Sequence, residues 1–168
     1  MTIMMNRELL QAQGFEGFRT IGGLMNGVRT LIPAQMGVYV VLRESESAPQ
    51  FLSEGTGGFF KGRNPNVSIA ELKANWVEGA QVVYIGKAGG FGSSATLQKR
   101  LLQYLHFGQG VNVGHWGGRY IWQLADSRDL VVCWKKLANE DPRDVERMMI
   151  QEFKTAHTGK RPFANLKG

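Results

Sequence analysis

The alternation of short β-type runs with helical patterns is the feature that most constrains how this chain can fold. Runs rich in β-branched and aromatic residues occur in GVYVVLRE (37–44), AQVVYIG (80–86), GHWGGRYIWQLA (114–125) and DLVVCWKKL (129–137). Helical patterns occur in RELLQAQGF (7–15), SIAELKANW (68–76), TLQKRLLQYLHFG (96–108) and DPRDVERMMIQEFKTAHTG (141–159). Their order predicts an α/β (α+β) domain in which helices flank a small central, mostly antiparallel β-sheet.

Two of these helices carry clear start signals. Ser68 followed three residues later by Glu71 is the capping-box pattern of a helix start. Asp141 and Pro142 match the N-cap and the first helical position of the last helix, and Gly159 lies where that helix should stop. We therefore expect these two helices to begin directly after Ser68 and Asp141.

The composition is typical of one globular domain. The chain has 168 residues, of which 43% are hydrophobic and 20% charged, enough to bury a core of its own. No stretch approaches the roughly 18 apolar residues of a membrane span, and the N-terminus lacks the apolar block of a signal peptide. Cys133, the single cysteine, is expected to fill the core. These features predict a cytoplasmic protein without a membrane partner.

The charge balance favours a polyanionic partner. The formal net charge is +6 and the sequence pI is about 9.7, which makes DNA the first candidate. Phe59 and Phe60 precede a basic stretch, and we expect them to be core under a loop rather than base-stacking residues. Contacts with DNA phosphates, which weaken steeply with salt, are expected from four basic residues: Lys61, Arg63, Lys99 and Arg119.

Two helices place a charged residue at the border of an apolar stripe. Arg100 lies beside Leu97 and Leu101, and an arginine is costly to bury unless it is paired or faces an anion. Glu146 lies on the flank of the apolar stripe of the last helix. A structural ion pair for Arg100 and a helix-dipole role for Glu146 are the alternatives to a functional site.

The order of the motifs resembles that of the GIY-YIG nuclease family. GVY (37–39) corresponds to the first motif and YIG (84–86) to the second. They are followed by L-x-x-R-x-x-x-Y on one helix, E-x-x-x-I on another, and PFAN (162–165). The resemblance runs from about Gly37 to Asn165. It implies a nuclease-like domain over residues 37–168, preceded by a helical extension of residues 1–36.

Two positions depart from the family pattern. Val38 replaces the usual isoleucine, which preserves the shape of the side chain. The 44 residues from Val40 to Val83 separate the two motif tyrosines, where the family more often has a short hairpin. We therefore expect an insertion at about residues 45–80 that contains a helix, and this insertion leaves the substrate preference open.

The resemblance implies metal-dependent hydrolysis of DNA phosphodiester bonds. Glu146 would hold one Mg²⁺ or Mn²⁺ ion, and Arg100 would bind a non-bridging phosphate oxygen. Tyr39 would be the general base. Lys87, at the end of the second motif strand, would face the phosphate and favour the ionised form of Tyr39.

Further residues have candidate catalytic roles, each with a structural alternative. Tyr84 and Tyr104 would hydrogen-bond the phosphate or order water, whereas core packing is the alternative for the motif tyrosines. Asn165 would position groups near the metal or form a turn. His115, in GHWGG, is a candidate whose alternative is an ordinary loop histidine, and His106 is its rival.

Three functions compete at this point. The leading one is a stand-alone DNA endonuclease of repair, restriction or defence type. A catalytically inactive DNA-binding module is the second, and a nuclease acting on RNA or branched DNA is the third. Because one active site cuts one strand, a double-strand cutter would need a homodimer or two binding events.

Overall fold

A computed structural model describes residues 5–27 and 29–166, where helices cover both faces of one four-stranded sheet. The strands are β1 (Glu16–Thr20), β2 (Gly37–Leu42), β3 (Val82–Ala88) and β4 (Val131–Lys136). The α-helices are α1 (Arg7–Ala12), α2 (Ile21–Met25), α3 (Ile69–Asn75), α4 (Leu97–Gly108) and α5 (Pro142–Ala156). Short 3₁₀ helices cover Arg29–Leu31, Phe60–Gly62, Arg119–Gln123 and Ser127–Asp129. The predicted α+β fold class is confirmed.

The two motif strands lie next to each other in the sheet. The strand order is β1-β4-β2-β3, and every neighbouring pair is antiparallel. Tyr39 on β2 lies opposite Gly86 on β3 and opposite Trp134 on β4. A side chain at position 86 would collide with the Tyr39 ring, since its Cβ would lie 2.6 Å from the hydroxyl oxygen. The glycine of YIG is therefore required by the tyrosine of the first motif.

The sheet separates two hydrophobic layers. On β2, Tyr39 and Val41 belong to the layer that α2 and α4 cover. Val38, Val40 and Leu42 face the opposite layer, which α1 and α5 cover. Because both faces are covered, every residue of β2 is buried. Among the described residues, no helix is both long enough and apolar enough to cross a bilayer.

The N-terminal segment contributes to the sheet as well as carrying helices. Strand β1 pairs with β4, with an irregular register between Gly17 and Arg19. Leu10 of α1 and Leu24 of α2 are fully buried in the two layers. The helical extension expected for residues 1–36 thus also contains an edge strand, which the sequence did not indicate.

The strand predicted at residues 114–125 is wrong. This segment forms the 3₁₀ helix Arg119–Gln123, which begins after Gly118 in a left-handed conformation. Four consecutive residues from Tyr120 to Gln123 are buried. Tyr120, Ile121 and Trp122 form a short apolar run, and such a run cannot be assigned to strand or helix by periodicity alone.

The predicted insertion contains its predicted helix. Helix α3 begins after Ser68, whose hydroxyl accepts a hydrogen bond from the Glu71 backbone N–H at 3.1 Å. Buried Gln123 holds the insertion to the domain. Its amide nitrogen donates to the carbonyl oxygens of Leu52 and Val67, and its amide oxygen accepts from the Val67 backbone N–H. The insertion is therefore fixed by buried polar contacts on the α4 side of the sheet.

Candidate active site

Five of the predicted site residues line one cleft of about 350 Å³ at the ends of β2 and β3. Tyr39 comes from β2, Tyr84 and Lys87 from β3, Arg100 from α4, and Glu146 from α5. The glycine-rich turn after β3 closes one side, where Gly89 has a φ of +86° and could not carry a side chain without strain. Residues from four elements, up to 107 positions apart in sequence (Tyr39 to Glu146), thus converge at one place.

Arg100 lies in the second turn of α4 with its guanidinium directed at the neighbouring loop. Nη1 donates to the carbonyl oxygen of Gly114 at 3.1 Å and to Oε1 of Gln103 at 3.2 Å. It forms no salt bridge with a carboxylate of the described residues. The structural ion pair considered for Arg100 is absent there, so its remaining donors are available to an anion in the cleft.

Glu146 is half-buried in the second turn of α5. The acidic residue in the first turn is Asp144, which is exposed and is the better partner for the helix dipole. Burial raises the pKa of Glu146, and the positive charges of Lys87 and Arg100 oppose that rise. Glu146 thus lies in the cleft under the influence of the Lys87 and Arg100 charges, and the helix-dipole alternative falls better to Asp144.

The donor set fits a magnesium ion held by a single carboxylate. Glu146 is the one acidic residue among the described residues that line the cleft. No group of three His, Cys, Asp or Glu side chains that could hold a metal occurs in the described part of the chain. Mg²⁺ commonly keeps several waters and takes one or two carboxylates plus phosphate oxygens. Glu146 with a bound phosphate therefore suits Mg²⁺ or Mn²⁺.

Tyr39 and His115 form a hydrogen-bonded pair at the floor of the cleft. The Tyr39 hydroxyl lies 2.9 Å from Nε2 of His115, and Nδ1 of His115 lies 2.8 Å from the carbonyl oxygen of Gly117. A carbonyl oxygen only accepts, so Nδ1 carries the proton and Nε2 accepts from the tyrosine. Burial lowers the pKa of His115 to about 3, with the charge of Arg100 acting in the same direction. His115 is therefore neutral, and its low pKa makes it a weak base that accepts the Tyr39 hydrogen bond.

The cation that acts on Tyr39 differs from the expected one. Burial holds the pKa of Tyr39 well above its usual value, and Arg100 supplies the charge that opposes this rise. The positive charge of Lys87 acts to lower the pKa of Glu146 instead. Burial likewise raises the pKa of Tyr84 to about 12. Lys87 is thus not among the charges that act on Tyr39, and the Tyr39 hydroxyl is hydrogen-bonded to His115.

Tyr104 lies behind the cleft instead of lining it. Its hydroxyl donates to the carbonyl oxygen of Gly118 at 2.5 Å, and its ring stacks on His115 with centroids 4.0 Å apart. A side chain at Gly118 would collide with Tyr104 and Tyr84. The predicted contact of Tyr104 with phosphate or water has no support in this arrangement, because Tyr104 is not among the residues that line the cleft and its hydroxyl donates to Gly118. Tyr104 positions His115.

Asn165 joins the C-terminal segment to β3. Its side-chain oxygen accepts from the Ile85 backbone N–H, and its amide nitrogen donates to the Ile85 carbonyl oxygen, both at 2.9 Å. It lines a second cavity of about 350 Å³, which shares Tyr84 and Glu146 with the cleft. Asn165 holds the strand that carries the second motif.

The remaining predicted residues are not among those that line the cleft. Lys99 is exposed on α4, and His106 lies half-buried towards the end of the same helix. Lys61 is exposed, with its amine 5.3 Å from the centroid of the Phe60 ring. Arg63 and Arg119 both lie over the ring of Trp116. Trp116, which sequence reasoning missed, lines the second cavity.

Comparison with protein-family models, with curated proteins and with solved structures gave no significant match. The assignment of a function therefore depends on the motif residues and on the geometry of this cleft.

Proposed function

We propose that the protein is a metal-dependent endonuclease that hydrolyses DNA phosphodiester bonds. The observation that carries the proposal is the convergence of Tyr39, Tyr84, Lys87, Arg100 and Glu146 around one cleft. A general base, cations and a single carboxylate are the groups that phosphodiester hydrolysis with one metal ion requires. The net charge of +6 suits a polyanionic substrate.

The phosphate is bound and oriented by the cations of the cleft. Arg100 donates to a non-bridging oxygen, and its guanidinium is held for this by the Gly114 carbonyl. Lys87 adds a second positive charge beside Glu146. A Mg²⁺ ion bound by Glu146 would stabilise the charge on the phosphate and on the leaving oxygen.

The tyrosine–histidine pair moves the proton of the attacking water. As the water oxygen bonds to phosphorus, Tyr39 accepts the water proton and passes its own hydroxyl proton to Nε2 of His115, and the weakly basic His115 releases that proton to solvent afterwards. The bond from phosphorus to the leaving oxygen then breaks, and solvent protonates the product. Burial is the main cause of the low pKa of His115, and an anionic phosphate beside Arg100 offsets only the smaller contribution of the arginine charge, so His115 becomes more basic to that extent when substrate is bound.

A panel of substrates tests the proposal against its alternatives. Single-stranded DNA, duplex DNA, branched DNA and RNA of matched sequence are incubated with the protein in Mg²⁺, in Mn²⁺ and in EDTA. Cleavage of any DNA form with either metal ion, but not in EDTA, is the expected result. Cleavage of RNA alone contradicts the DNA assignment. Salt-sensitive DNA binding without cleavage of any member favours the inactive binding module.

A further inference from the structure

Two arginines from distant parts of the chain lie on the same tryptophan. The guanidinium carbons of Arg63 and Arg119 are each 4.4 Å from the centroid of the Trp116 ring. Arg63 belongs to the insertion, and Arg119 begins the 3₁₀ helix that follows the His115 loop. We refer to these three residues as the Arg63–Trp116–Arg119 cluster.

The cluster carries positive charge that the described residues do not neutralise. Neither arginine forms a salt bridge with a described carboxylate. The negative charge of Glu71 acts to raise the pKa of Arg119, but the Glu71 carboxylate accepts its hydrogen bond from the Tyr120 hydroxyl. Nε of Arg119 is buried without a hydrogen-bond partner. Burial lowers the pKa of Arg119, and the positive charge of Arg63 acts in the same direction, so an anion that contacts both guanidiniums would relieve their repulsion.

The insertion loop that carries Arg63 is fixed in place. The Gly58 backbone N–H donates to the Phe107 carbonyl oxygen at 2.8 Å, and a side chain at Gly58 would collide with the backbone of Val111. The Lys61 backbone N–H donates to Oδ1 of Asn112 at 3.1 Å. The position of Arg63 over Trp116 is thus a consequence of backbone packing between two loops.

The cluster borders the candidate active site. Trp116 lines the second cavity together with Tyr84 and Glu146, which also line the cleft. Trp116 directly follows His115, the partner of Tyr39. A nucleic-acid strand with one phosphate in the cleft would therefore pass beside this cluster.

We propose that Arg63, Trp116 and Arg119 form a subsite for a backbone phosphate adjacent to the scissile phosphate. The ring holds both guanidiniums by cation–π contact, so little side-chain entropy is lost when a phosphate binds. This inference depends on the proposed function for its choice of DNA. It gives the insertion a role in holding the substrate rather than in the chemistry.

Salt-dependent binding without metal tests the subsite independently of cleavage. A short fluorescent DNA duplex is titrated with the full-length protein in EDTA, between about 50 and 200 mM salt. Arg63→Gln should weaken binding and reduce the slope of log affinity against log salt by about one. Arg63→Lys should keep most of the slope, since the charge remains. Arg119→Gln should weaken binding and reduce the salt slope by as much as Arg63→Gln does. Thermal melts confirm that each variant is folded.

Arg19→Gln is the matched control, because Arg19 is exposed on β1 at the opposite edge of the sheet. Its salt slope should equal that of the unaltered protein. The subsite is overturned if folded Arg63→Gln binds like the unaltered protein, if Arg19→Gln loses as much as Arg63→Gln, or if the unaltered protein does not bind DNA. Binding that depends on the cluster, from a protein that cleaves nothing in Mg²⁺ or Mn²⁺, supports a backbone-phosphate site at the cluster and contradicts the endonuclease, and with it the place of that site beside a scissile phosphate.

Discussion

Replacing His115 by glutamine should remove a pH-dependent part of the stability of the fold. His115 is 0% exposed, and its imidazole is bonded to the Tyr39 hydroxyl and to the Gly117 carbonyl oxygen. Glutamine is chosen because its amide can accept a hydrogen bond from Tyr39 and does not titrate. The difference between the two proteins therefore isolates the protonation of one side chain.

The size and sign of the effect follow from the pKa. Burial lowers the pKa of His115 from 6.5 to about 3. The unfolded chain consequently binds a proton at pH values where the folded protein does not. The stabilising contribution is complete above about pH 6.5 and is lost as the pH falls towards 3. At 1.36 kcal/mol for each pKa unit, the difference between the unfolded-state and folded-state pKa values corresponds to about 5 kcal/mol of stability. About 3 kcal/mol of this stability is lost by about pH 4.

Urea unfolding of both proteins between about pH 6.5 and pH 4 measures this loss. The free energy of unfolding of the unaltered protein should fall by about 3 kcal/mol more than that of His115→Gln over this range. The lowered pKa values of Glu44 and Asp141 also weaken the fold in acid, but they act equally in both proteins. Parallel curves would refute the neutral, buried His115 and with it the proton path from Tyr39.

Other predictions concern the cleft and the core. Arg100→Ala should lower the cleavage rate by about 10²-fold or more, measured in single-turnover assays, because a preorganised donor to the phosphate is lost; an unchanged rate removes Arg100 from the mechanism. Gly86→Ala should lower the free energy of unfolding, measured with urea, by about 1–3 kcal/mol and should impair cleavage, since the added Cβ would lie 2.6 Å from the Tyr39 hydroxyl. Unaltered stability together with an unaltered cleavage rate would contradict the predicted clash. Cys133 should not react with a thiol reagent at about pH 8 in the native protein and should react fully in guanidinium, because burial raises its pKa to about 12; rapid native labelling would contradict this packing.

Local signals in the sequence were sufficient for α1, α3, α4 and α5, whereas α2 (Ile21–Met25) was not predicted. The Asp141 side chain accepts from the Arg143 backbone N–H, and Pro142 occupies the first helical position, as its missing N–H allows. Strand β1 had no comparable signal. It is exposed or half-exposed along its length, and Gly17 and Phe18 both have positive φ, so apolar alternation is absent.

The candidate site was only partly predictable from the sequence. The motif spacing indicated Tyr39, Arg100 and Glu146, because each lies at a defined position on a regular element. The pairing of Tyr39 with His115 joins residues 76 positions apart and depends on how the glycine-rich loop packs on α4. No local pattern encodes such a long-range contact, and for the same reason the contact of Arg63 with Trp116 was missed.

Plasmid nicking by Glu146→Ala, beside Glu152→Ala, tests the central claim most directly. Both residues are on α5, but Glu146 lines the cleft whereas Glu152 is exposed. We expect Mg²⁺-dependent nicking by the unaltered protein and by Glu152→Ala, and none by a folded Glu146→Ala that still binds DNA. Equal nicking by both variants, or nicking that persists in EDTA, would contradict the assignment of a metal-dependent active site to this cleft.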